Sequence, residues 1–147
     1  MAESVYFSLL QSFAEAVGKF DYFKNIKIAF NASYDSTETS EEVLYVVPGN
    51  TSYEQAARDG LKRTTTINAV LVKSLNTADD MNELDALTAK LETAANLLAS
   101  GARLNSGGFV WSVEGVEIDP GDPTQLEQNL IFNGRIAVDF KAVKPIR

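Results

Sequence analysis

The chain has neither cysteine nor histidine among its 147 residues. The first absence excludes disulfides, thiolate nucleophiles and cysteine-based zinc sites; the second excludes imidazole ligands and every triad or dyad whose base is histidine. Basic residues are scarce too, with 13 Lys and Arg against 20 Asp and Glu and a formal net charge of −7. A chain of that sign is not expected to hold nucleic-acid phosphates tightly. Long apolar runs are also missing. The longest is Val43 to Val47, too short for a membrane span, and Met1-Ala2-Glu3-Ser4 lacks the basic start of a signal peptide. These features predict a soluble chain made in a cytoplasm, with no membrane partner. The sequons at Asn31 and Asn50 then have no route to glycosylation.

What is present suffices for a core. Hydrophobic residues make up 45% of the chain and aromatics 10%, ordinary values for a globular protein, and the length predicts a single domain over residues 1–147. Val5, Leu9, Phe13, Ala16, Val17 and Phe20 follow helical spacing, with Ser4 as N-cap and Gly18 as stop. Ile26, Ile28, Phe30, Ala32 and Tyr34 then share the two-residue period of a half-buried strand, followed by an acidic loop from Asp35 to Glu42. Val43 to Val47 predicts a second strand, ended by a turn at Pro48-Gly49-Asn50. Leu61, Arg63, Thr65, Ile67, Ala69 and Leu71 lie on one parity and predict a long strand to about Lys73.

Thr77 with Asp80 matches a capping box. Met81, Leu84, Leu87, Leu91, Ala94, Ala95 and Leu98 continue it as an amphipathic helix that Gly101 closes. After Ser106-Gly107-Gly108, read as a flexible entry, Phe109, Trp111 and Val113 alternate as a strand that turns at Asp119 to Pro123. In the last strand Leu130, Phe132, Ile136, Val138, Phe140 and Ala142 oppose Asn133, Arg135, Asp139 and Lys141, with Gly134 a bulge or close-approach point. The order α-β-β-β-α-β-β predicts an α+β fold, an antiparallel sheet of four to five strands of mixed length flanked by two helices. Strands near fifteen residues would overrun a compact domain, which points to a sheet edge or hairpin shared with another chain.

Catalytic groups are few. The acids cluster as Asp35/Glu38/Glu41/Glu42 in a loop, Asp79/Asp80/Glu83/Asp85 at a helix start and Asp119/Asp122 in a turn. Solvation, the helix macrodipole and turn chemistry account for the three in that order, ahead of a metal site. No phosphate-binding glycine loop occurs, and nothing faces two carboxyls across a cleft. Trp111 and the phenylalanines fall on apolar parities, as core residues do. Arg58, Lys62 and Arg63 are the one local basic concentration, either a solvated strand end or an interface ion-pair group. No catalytic residue, cofactor or metal is expected.

The strand Val43 to Pro48, a polar connector with Glu54 and Arg58, the alternating run Arg63 to Val72 and the acid-capped helix from Asp79 to Leu98 resemble the tail terminator, or tail-completion, proteins of long-tailed bacteriophages. The final strand, Phe132 to Phe140, also fits, so the resemblance covers most of residues 1–143. It implies a structural virion protein whose copies close into a ring, a hexamer, that caps the tail tube and docks the head. Its partners would be itself, the tail-tube protein and a head-completion protein, at the head-tail interface. Related connector proteins and tail-tube subunits are built along similar lines and remain alternatives. Six copies at −7 each would bring about −42 formal charges to the ring, a lumen past which DNA slides without binding. Asp35, Glu38, Glu41 and Glu42 are candidates for a lumen or tube-facing loop, and Arg58, Lys62 and Arg63 for inter-subunit contacts. A rival of another class is a small α+β domain with an apolar ligand in a carboxylate-lined cup.

Overall fold

The computed structural model of the chain describes residues 5–23, 25–29, 41–57, 60–75, 81–100, 103–106, 109–119 and 130–145. Its elements are α1 (Val5–Gly18), β1 (Ile26–Ile28), β2 (Val43–Ala57), β3 (Gly60–Ser74), α2 (Met81–Ala99), β4 (Arg103–Ser106), β5 (Phe109–Asp119) and β6 (Ile131–Pro145). The strands form one sheet in the order β1-β2-β3-β6-β5-β4. β1 runs parallel to β2, and every other neighbouring pair is antiparallel. The sheet is strongly curled into a half-barrel.

These features correct the expected antiparallel α+β sheet of four to five strands. The sheet has six strands, is mixed, and dominates the fold. Two local readings caused the error. The first took Pro48-Gly49-Asn50 as a turn, whereas β2 runs through it with a register shift between Pro48 and Thr51. Ala29 N–H donates to Val46 O and Leu44 N–H to Asn25 O, so even-numbered residues of β2 point their backbone groups at β1. Pro48 continues that parity beyond the end of the β1 pairing, and its missing N–H therefore faces the outer edge, not β3. Gly49 is required by close approach, since a Cβ there would sit 2.6 Å from Thr66 O. The second read Ser106-Gly107-Gly108 as a flexible entry and gave Arg103 to Asn105 no element, whereas Arg103–Ser106 pairs with Phe109–Ser112 as one more strand. The predicted first strand reaches Tyr34, but β1 ends at Ile28 and residues 30–40 lie outside the described residues.

One face of the sheet carries the main core. Leu44, Val46, Ile67, Ala69, Leu71, Ile136, Val138, Phe140 and Ala142 meet Leu9, Leu10, Phe13 and Val17 of α1 and Leu87, Leu91, Ala94, Ala95 and Leu98 of α2. Both helical sets follow the three- and four-residue steps seen in the sequence, which put each set on one face. α2 lies on β5 and β6, while α1 touches β1 and β2 near one end of the sheet and β4 at the other. Helix α1 thus bridges the open side of the half-barrel. Phe13 meets Phe140 edge to face at 5.7 Å between ring centroids. At Gly134 an added Cβ would stand 2.4 Å from Leu91 Cδ1, so glycine there is a close-approach point that lets α2 settle on β6.

The opposite face has its own cluster, Val43, Tyr45, Val70, Val72 and Ile131, with Ala29 and Val47 packed against it. Val43 to Val47 is apolar at every position because both faces of the sheet are covered there.

Candidate functional site

The sequence grouped Lys62 with Arg63; the pleat of β3 separates them. Successive side chains of a strand point to opposite faces, and Arg63 shares its parity with Thr65, Ile67, Ala69 and Leu71, which all lie buried. Arg63 therefore enters the helix-covered face, where it is only 8% exposed. Lys62 stays on the other face, and its Nζ lies 3.4 Å from Glu114 Oε1 at the register shift in β5. Arg58 lies outside the described residues.

Two aromatic rings frame the Arg63 guanidinium. Tyr53, its direct cross-strand partner on β2, places its ring centroid 5.1 Å from Cζ, and Trp111 of β5 places its own at 5.5 Å. Cation–π attraction at such distances contributes on the order of 0.5–2 kcal/mol per ring. Trp111 is fully buried, whereas Tyr53 is 58% exposed and forms the solvent side of the frame. Arg63 Nε is buried with no hydrogen-bond partner among the described residues. Nearby, Tyr6 of α1 donates its hydroxyl proton to Gly49 O at 2.6 Å and lies 3.2 Å from Thr66 O. Burial pushes the Tyr6 pKa above its usual value, and the nearby Arg63 charge acts against that shift without cancelling it. Tyr6 is therefore neutral near pH 7 and supplies no counter-charge.

The acidic candidates part ways as well. Asp35 and Glu38 lie outside the described residues. Glu41 is exposed, but Glu42 turns inward and accepts from Lys90 Nζ of α2 at 2.5 Å. Glu42 thus ties the start of β2 to α2. Glu83, in the first turn of α2, pairs with Lys73 of β3, and Asp119 pairs with Arg135 across β5 and β6 at 3.1 Å. Asp79, Asp80 and Asp122 lie outside the described residues. Among the described residues no group of three or more acids could hold a metal ion, and no helix is long and apolar enough to cross a membrane.

The arrangement around Arg63 offers one buried fixed positive charge between two π-faces. A guanidinium so placed can receive an anion or a carboxylate. Sequence reasoning named Arg63 but missed Tyr6, Tyr53 and Trp111 around it. A signal for the arrangement was present, since an arginine on an otherwise apolar parity is out of place, but pairing Tyr53 with it required β2 to continue past Pro48.

No family model matches the chain, and no curated protein matches it. Among the solved structures that do match, one whose name states no function is 14% identical. The likeness covers 92% of this chain and 90% of that one, with a TM-score of 0.51. At this identity it speaks for a shared fold and for nothing about activity.

Proposed function

We propose that the chain is a structural protein of a phage virion, a tail terminator whose copies close into a ring, most simply a hexamer, that caps the tail tube and receives the head. The observation that carries this reading is how little of the long outer strands is paired on the outer side among the described residues. Among the described residues β1 covers β2 only from Leu44 to Val46, and β4 covers β5 only from Phe109 to Ser112. Residues 47–57 of β2 and 113–119 of β5 thus have no described strand paired on their outer sides. Two unlike edges without a described partner strand suit head-to-tail association, which closes into a ring when the rotation allows. The resemblance in element order supports the same reading. DNA passes such a ring without tight binding, in keeping with a net charge of −7 per copy.

Native mass spectrometry together with light scattering across a dilution series tests the proposal. A ring former gives a discrete closed oligomer, seen by electron microscopy as an annulus. A monomer at every concentration, with a melting temperature raised by small ligands, would overturn the reading and favour a ligand-binding domain. A gel shift with duplex DNA at low salt would sink the non-binding lumen.

A further inference from the structure

Arg63 differs from the other described cations, each of which has a carboxylate within reach or stands exposed to solvent. Lys62, Lys73, Lys90 and Arg135 each have a carboxylate within ion-pair distance. Arg63 has no ion pair among the described residues, its Nε is orphaned, and less than a tenth of the residue reaches solvent. A charge so far removed from water is costly unless a counter-charge completes it, and two ring faces replace only part of the lost hydration. The guanidinium fork is shaped to take a carboxylate in two parallel hydrogen bonds.

We propose that Arg63, held between Tyr53 and Trp111, is a carboxylate-binding site filled by an acidic side chain of a neighbouring copy of this chain. The inference rests on the ring reading above and names one contact within it. Charge complementarity points to a second copy. The chain carries a surplus of seven acids, and Glu41, Asp85, Glu92 and Glu117 are exposed without an ion pair among the described residues. Tyr53, the solvent-side wall of the site, stands on the stretch of β2 that β1 leaves uncovered. An arriving subunit at that edge meets the ring and the guanidinium together.

Trp111 is the only tryptophan, so its emission reports directly on the site. In wild-type protein the emission should shift with concentration, in step with association seen by light scattering, and high salt should weaken both. Arg63→Gln should weaken association at least ~30-fold and abolish the emission change, because a buried pair loses one partner. Arg63→Lys, which keeps the charge but not the fork, should fall between the two and covers the case in which Arg63→Gln fails to fold. If wild type assembles and a folded Arg63→Gln assembles as tightly, the inference is overturned while the ring reading stands. If wild type never associates, the ring reading falls and the second copy with it. A Trp111 response of that monomer to free glutarate would then assign the site to a small carboxylate, overturning the proposed occupant.

Discussion

The β2-β3-β6 sheet is two materials end to end. In its first half, residues 43–47, 69–72 and 131–132 bury both faces, one under the helices and the other in the second cluster. In the second half only one face is covered by described residues, and β3 alternates between buried Arg63, Thr65 and Ile67 and half-buried Lys62, Thr64 and Thr66. The same backbone pairing runs unbroken from Gly60↔Pro145 to Ser74↔Ile131. Hydrogen bonding is thus continuous while burial changes midway. Stability should reside in the first half, leaving the second free to carry polar groups and a buried arginine for use elsewhere.

Two aspartates placed on one face of β3 break this comparison most sharply. Val72→Asp puts an unpaired charge at a fully buried position and should cost more than ~4 kcal/mol, near the whole stability of a domain this size. Thr64→Asp, on the same face eight residues earlier, should change stability by less than ~1 kcal/mol. Urea denaturation of the pair reads the contrast, and equal losses would mean the halves are not distinct.

Tyr6 sharpens the boundary, because it fastens α1 to Gly49 and Thr66 where one half gives way to the other. Tyr6→Phe should cost about 1 kcal/mol by the lost hydroxyl bond. It also has a pH signature. The folded Tyr6 pKa lies above that of the unfolded chain, so the folded state holds this proton longer. Its contribution is therefore constant below the ordinary tyrosine range near pH 10 and is lost as pH rises from there through the folded pKa. Stability measured above that range should fall less steeply in Tyr6→Phe than in wild type; identical slopes would remove Tyr6 from the account.

The smallest effect belongs to the polar face. Asp119 and Arg135 are both about half exposed, and Asp119→Ala should shift the unfolding midpoint by no more than ~0.5 kcal/mol equivalent. A larger loss would show that this face is more rigid than its solvation suggests.

Much of the layout was legible from side-chain period alone. The helical spacing of Leu9, Phe13 and Val17 and the parity of Ile136, Val138 and Phe140 both survive as buried faces. The parity of β3 already placed Arg63 with the apolar set. Proline and glycine were misread at Pro48-Gly49, because a local rule about turns cannot know which side of a strand has a neighbour. The basic concentration at Lys62 and Arg63 dissolved for a related reason: adjacency along a strand means separation across the sheet.

By itself the sequence determined what chemistry is absent, with no thiol and no imidazole, and where most helices and strands lie, because those follow from composition and short-range period. Only the tertiary structure decided that β2 runs through its proline, that β1 joins in parallel, that Glu42 answers Lys90, and that Arg63 lies between Tyr53 and Trp111. Each of these depends on which strand or helix lies alongside, a contact between residues far apart in the chain that no local pattern encodes.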